Sequence, residues 1–233
     1  MLRSLTAVLT LAFACTAAAQ TWPSQPIRLI APFPPGGSVD ITARLIAEPL
    51  SSQLGVRIVI DNRSGASGNI GMEAAARAAP DGYTIVLNTI PLVTNQSLFD
   101  KLTWDPIKDF APIGMVATSP HVLVVPAKMP VSNVNELVRL ARASPGKLSY
   151  ASAGVGTTFH FCGEMFKEST GTFILHVPYR GGGPALLDTL AGQVDMSFPT
   201  LSAALPHVKA GTLRALAVTD TTRSSLLPDV PTL

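Results

Sequence analysis

Cysteine is nearly absent from this chain: there are two in 233 residues. Cys15 falls in a segment that reads as a cleaved leader, so Cys162 alone is left and no internal disulfide can form. In an oxidising compartment such a thiol is expected to be buried and inert. Charge imbalance is lacking too, with Lys and Arg at 17 against 15 for Asp and Glu; 17 less Arg3 gives 16. A chain so close to neutral has no basic face for nucleic acid or an anionic membrane. Beyond the leader no apolar run approaches the roughly 18 residues that a membrane span requires.

Several chemistries lack their motifs. There is no Gly-Lys-Ser/Thr phosphate loop, and Gly154-Val155-Gly156 continues as Thr157-Thr158-Phe159, without the third glycine of a dinucleotide site. His121, His160, His176 and His207 are scattered, with no His-Glu-x-x-His and no cysteine pair to hold a metal. The Gly-x-Ser-x-Gly elbow of the α/β hydrolases is missing as well. We therefore expect no metal, no cofactor and no catalytic residue. An exported enzyme, with His160 as its working group, is the rival reading.

What is present begins with an export signal. Met1-Leu2-Arg3, a short apolar run over 5–14 and Ala17-Ala18-Ala19 before Gln20 predict cleavage after Ala19. Lipidation at Cys15 would need a leucine and a small residue where Ala12-Phe13-Ala14 stands. Cleavage leaves about 214 residues, enough for one large or two small cores.

The rest alternates strands with helices. A strand at 27–31 runs into Pro32-Phe33-Pro34-Pro35-Gly36-Gly37, and a helix follows from Ser38, with Ile46, Leu50 and Leu54 as its apolar stripe, Pro49 as a kink and Gly55 as its stop. Residues 56–61 read as a strand, 69–79 as a helix and 84–88 as a buried strand, so the order is β-α-β-α-β, the signature of parallel sheets with crossover helices. An Asn- and Pro-rich loop leads to strands at 111–118 and 121–125, and Ser119-Pro120 between them marks a lobe boundary. The pattern resumes with a helix at 134–143, opened by Asn133 and Glu136 at capping-box spacing. Strand 148–151, helix 159–168, strand 173–177, a helix with Pro184 in its first turn, strand 194–198, a helix through Val208 and strand 214–218 complete it. Residues 220–233 are expected to return toward the first lobe and to leave it unfinished.

Four Gly-rich loops each follow a strand and open a helix, the position where open α/β sheets bind ligands. They are 33–37 with Asp40 just beyond, 64–69, 152–158 and 179–183. Each alone could be a turn that needs glycine for positive φ. Four at the same ends of successive strands make a cleft of N–H donors and helix dipoles that favours an anion. The candidate ligand-binding set is Phe33, Pro35, Gly36, Gly37, Asp40, Ser67, Gly68, Asn88, Thr89, Ser152, Gly154, Gly156, Thr157, Thr158, His160, Tyr179 and Asp195. Within it, His160 could donate to a ligand or cap and pack, and Asp195 could hold a loop or a ligand. Arg180 is read as placing its loop, and Cys162 as core.

Taken together these runs resemble the Bug-type receptors of tripartite tricarboxylate transporters. The likeness rests on Trp22-Pro23, Pro32-Phe33-Pro34-Pro35-Gly36-Gly37 with Asp40, Ala43 and Arg44, Asp61-Asn62-Arg63, the 65–71 loop and Pro80-Asp81-Gly82-Tyr83. It continues in 154–160, Pro178-Tyr179-Arg180-Gly181, Pro184-Ala185-Leu186, Gly192-Gln193-Val194-Asp195, Lys209-Ala210-Gly211, Leu213-Arg214-Ala215-Leu216-Ala217 and Leu227-Pro228-Asp229-Val230-Pro231, across essentially the whole mature chain. The resemblance implies a two-lobed α/β periplasmic binding protein, a type II Venus flytrap with lobes at 20–118 and 119–219 and its first lobe cut short. It implies a receptor that delivers a small organic acid to membrane permease subunits; we expect a monomer, and a sensor that presents the acid to a signalling partner is a further rival reading. The first and third loops would grip the carboxylate, partly through water. Asn88-Thr89-Ile90 and Phe159 depart from the family pattern where the distal part of a ligand would lie, and so would set selectivity.

Overall fold

The structure is a computed structural model that describes residues 21–233; the expected leader and Cys15 lie outside the described residues. Ile27–Ala31 forms β1, Ser38–Leu54 α1, Ile58–Asn62 β2, Asn69–Ala76 α2 and Thr84–Val86 β3. β1 pairs in parallel with both β2 and β3, giving the order β2-β1-β3. Its Ile-Arg-Leu-Ile-Ala run is buried except at Arg28, as a central parallel strand must be. α1 covers this sheet with the expected stripe: Ile46, Leu50 and Leu54 pack on Ile27, Leu29 and Ile58. Gly55 ends the helix at φ 69°, donating its N–H to the Ser51 carbonyl. Pro49 lies on the exposed face and the helix runs through it, where water can serve the carbonyl it leaves unpaired.

The larger sheet is built from β4 (Val122–Pro126), β5 (Ser149–Ser152), β6 (Leu175–Pro178), β7 (Met196–Ser197) and β8 (Leu213–Val218), in the order β6-β5-β7-β4-β8. β5 is parallel to β6 and β7, whereas β4 is antiparallel to both β7 and β8, so the sheet is mixed. Four helices cover it: α4 (Val134–Ala143), α5 (Thr158–Thr170), α6 (Gly182–Ala191) and α7 (Leu201–Lys209). β4 is buried along its whole length. Leu123 and Val125 face Leu137 of α4 and Phe166 of α5, while Val122 and Val124 face Leu186 of α6 and Leu201 of α7. Both faces are therefore apolar and both are covered. At the start of α4, Asn133 Oδ1 accepts the Glu136 N–H at 2.9 Å, and Glu136 reaches back to the Ser132 N–H, one residue before the cap.

Three stretches differ from expectation. Residues 111–118 form no strand: Ile113 and Met115 are 87% and 85% exposed, and without a ladder partner an alternating apolar run cannot be a strand. The Asn- and Pro-rich loop contains α3 (Pro91–Leu98), with Pro91 in the first turn, where its missing N–H costs nothing. The end of the 220–233 stretch docks on the last residue of β8 in the larger sheet. Val218 donates to the Pro231 carbonyl and accepts from the Leu233 N–H, and Leu227 and Val230 find apolar cover on the β4–β8 side.

α5 packs on β5 through Gly163, where a Cβ would overlap the buried Tyr150 ring. Gly163→Ala should therefore destabilise the protein by about 1–3 kcal/mol despite alanine's better helix propensity. Urea unfolding of the two proteins measures the difference, and an equal or higher midpoint for the variant would refute this packing.

Candidate functional site

All four Gly-rich loops stand at the C-terminal ends of their strands, and those of the two sheets touch. A Cβ on Gly37 would lie 3.6 Å from the Gly183 nitrogen, and one on Gly154 would lie 2.8 Å from Ser67 Oγ. Thr94 of α3 donates to the Gly156 carbonyl at 3.0 Å, joining the smaller sheet's side to the third loop.

The first loop is held from behind by Asp40, which is 3% exposed. Its carboxylate accepts the Gly36 N–H at 3.0 Å, both Nε and Nη2 of Arg44 at 3.0 Å, and Nδ2 of Asn62 at 3.1 Å. Burial alone would raise its pKa, but the bonds from Arg44, Gly36 and Asn62 outweigh that and hold it below the ordinary 3.8. The second loop carries Ala66 and Ser67 at φ 46° and 53°, a conformation that costs non-glycine residues energy. Buried Asn95 of α3 stabilises it, donating Nδ2 to the Ser67 carbonyl and to Asn69 Oδ1. In the third, Ser152 Oγ accepts the Gly154 N–H and lies 2.6 Å from His176 Nε2, while Thr157 Oγ1 donates to the Gly154 carbonyl. In the fourth, the Tyr179 hydroxyl donates to Asp188 at 2.7 Å, and burial with that partner pushes its pKa up to about 12.

Between these loops lies a cavity of about 430 Å³, open mouth included. Its wall is Phe33, Gly37, Ser38, Val39 and Thr89 from the first sheet's side, and His121, Ala153, Thr157, Thr158, Phe159, Gly182 and Thr200 from the second. None of these twelve is Asp, Glu, Lys or Arg. Three helices begin there, α1 after Gly37, α5 after Thr157 and α6 after Gly181, and none has a side-chain cap. Their first N–H groups, which no helix can satisfy internally, are left for a ligand, and the three dipoles favour a negative one. α7 also starts at the wall, through Thr200, but its Leu201 N–H is taken by the Pro120 carbonyl at 2.8 Å.

Of the residues expected from sequence, Phe33, Gly37, Thr89, Thr157 and Thr158 line the cavity. Pro35, Gly36, Gly68, Gly154 and Gly156 shape the loops behind it, and Ser67 sits where the second loop meets the third. Asn88 accepts the Thr89 N–H through Oδ1 and leaves a buried Nδ2 without a partner among the described residues. Four other side chains turn away from the cavity. Asp40, Ser152 and Tyr179 spend their polar atoms on the loops, as described. His160 accepts the Gly156 N–H through Nδ1 and stacks on His176 at 4.4 Å. Asp195 is distant: it accepts the N–H and hydroxyl of Ser149 at the starting end of β5, opposite the loops. Ser38, Val39, His121, Ala153, Phe159, Gly182 and Thr200 also line the wall. Ser38 and Gly182 follow loop glycines and were within reach of the sequence. His121 and Thr200 meet through β4–α7 proximity, which no local pattern signals. Cys162 packs against the core, and burial pushes its thiol up to about 11.

A two-lobed α/β structure with an uncharged, amide-rich cavity between its loops has the architecture of a solute-binding receptor. The sequence pattern of the tripartite tricarboxylate transporter family receptor matches residues 42–233, and the chain belongs to that family. Protein BugT of Bordetella pertussis is 39% identical over 97% of this chain and 70% of its own length. Among solved structures, Rpa4515 of R. palustris with adipate is 40% identical, with a TM-score of 0.89 over 91% of this chain and 71% of that one. MatC of Rhodopseudomonas palustris with bound malate is 30% identical, with a TM-score of 0.85 over 91% and 72%. The chain spans between 62% and 72% of the length of six curated relatives that it matches.

Two consequences are measurable. Asp40→Ala removes the buried carboxylate that ties Gly36, Arg44 and Asn62 together, so it should cost about 1–3 kcal/mol in denaturant unfolding. His176, stacked behind the third loop, is held near a pKa of about 4 by burial and by His160, against an ordinary 6.5. Between those values the unfolded chain binds a proton that the folded chain refuses. Its stabilising effect is thus full above about pH 6.5 and is lost as the pH falls toward about 4. His176→Gln should flatten the fall in unfolding free energy over that window; an unchanged slope would discount the imidazole.

Proposed function

We propose that the protein is a periplasmic receptor that captures a small carboxylate-bearing molecule and delivers it to the membrane permease of a tripartite tricarboxylate transporter. The observation that carries this reading is the convergence of three uncapped helix N-termini on one cavity without a charged side chain. A carboxylate there completes the helices' unmet hydrogen bonds and meets their dipoles, and needs no arginine. Adipate and malate in two relatives belong to the same chemical class. No helix among the described residues is long and apolar enough to cross a membrane. We assign residues 20–118 and 119–219 to the two lobes, with the monomer as the working unit and no catalytic step.

Thr158 is the first residue of α5, and Thr157 before it is extended at φ −80° and ψ 161°, a conformation that accepts a following proline. Thr158→Pro therefore deletes one cavity-facing N–H at a position where proline suits a helix. Against a panel of mono- and dicarboxylates, the native protein should gain thermal stability, by about 2.7 kcal/mol at a hundredfold excess over Kd. Thr158→Pro should bind the same acid about tenfold more weakly, the loss of one charge-assisted hydrogen bond, while Thr158→Ala stays near wild type. Undiminished binding in the proline variant would remove α5 from the site, and no shift with any acid would sink the reading.

A further inference from the structure

His121 belongs to none of the loops, yet it stands in the cavity wall. It enters β4, bridges to Thr200 and is 8% exposed, with its ring edge-on to Phe159 at 5.3 Å. Its Nδ1 lies 2.6 Å from the Phe198 carbonyl oxygen. A carbonyl can only accept, so Nδ1 carries the proton; in a neutral ring Nε2 is then a lone pair. Burial lowers the pKa of the ring from its ordinary 6.5, against the Phe198 carbonyl, and so favours the neutral form. Among the described residues no hydrogen bond reaches Nε2, although Nδ1 and the backbone N–H and carbonyl of His121 are all engaged.

No other side chain of that wall is a fixed acceptor, since the hydroxyls of Ser38, Thr89, Thr158 and Thr200 can each donate as well as accept. Phe33, Val39, Ala153 and Phe159 are apolar, and the Thr157 hydroxyl is spent on Gly154. The helix N-termini offer only donors. A lone pair among donors and aromatic edges marks where a ligand's own donor belongs. Resting on the reading that the helix N-termini hold a carboxylate, we propose that His121 Nε2 selects for a ligand carrying a hydroxyl group beyond that carboxylate. An O–H satisfies the nitrogen, a methylene buries it without a partner, and a second carboxylate sets acceptor against acceptor. Sites that hydrogen-bond a substrate hydroxyl reject its deoxy analogue because a buried polar group is left unpaired.

Calorimetric titration with acid pairs on one carbon skeleton tests this: lactate with propionate, 3-hydroxybutyrate with butyrate, malate with succinate. The hydroxy acid of the pair that binds should bind about tenfold or more tightly than its partner. His121→Phe, which keeps an aromatic edge against Phe159, should close that gap. A second measurement needs no variant: in the ¹⁵N-histidine protein, the Nε2 resonance of His121 should move with the hydroxy acid and stay with its deoxy partner. Equal affinities in the native protein, preference for the added carboxylate alone, a gap that survives His121→Phe, or an unmoved Nε2 each overturn the proposal while leaving carboxylate capture intact. Failure of every acid to bind overturns both.

Discussion

Unmet backbone N–H groups at the starts of α1, α5 and α6 are the constraint around which this molecule is arranged. A helix ordinarily satisfies them with a Ser, Asp or Asn cap. Here Gly37 and Gly181 have no side chain to offer, and Thr157 turns its hydroxyl to Gly154 instead. Three such ends aimed at one cavity form a site whose positive potential comes wholly from the backbone. Backbone donors cannot be repositioned by rotamers, so the loops themselves must be rigid.

That rigidity is where the polar side chains go. Asp40, Asn95, Ser152 and Tyr179 each hold a loop from the side away from the cavity, Tyr179 through Asp188 and the other three through two or more partners. Glycine does the complementary work on the near side. At Gly183 a Cβ would come within 3.0 Å of the Pro35 carbonyl oxygen across the junction, and at Gly154 one would meet Ser67 Oγ at 2.8 Å, so a larger residue at either would push the loops apart. Side chains brace the loops, and their absence lets the loops meet.

Much of this was legible because it follows from local rules. The 134–143 helix has its expected bounds because capping and periodicity agree there. The Gly-rich loops lie where strand-to-helix transitions put them. The α3 helix was hidden because asparagine and proline are read as loop formers, although Pro91 in a first turn starts a helix as readily as it ends one. Residues 111–118 carry a strand pattern, but strandhood belongs to a pair, and the pattern does not say whether a partner is present. Asp40 was found by its spacing, yet its role reversed: a carboxylate just inside a helix facing an anion site would repel the anion, unless it were turned back onto Arg44 and the loop, as it is.

His121 shows the remaining limit. Its tautomer is fixed by Phe198, 77 residues away, and its neighbour Thr200 reaches it only because α7 begins beside β4. On the proposed function, the grip on an anion and the discrimination between anions have different origins in this fold. Loop glycines and helix starts are written into short motifs, so a receptor of this kind can keep its grip unchanged. Selectivity would then rest on single side chains brought to the wall by long-range packing, where one substitution could alter the chosen ligand without touching a motif.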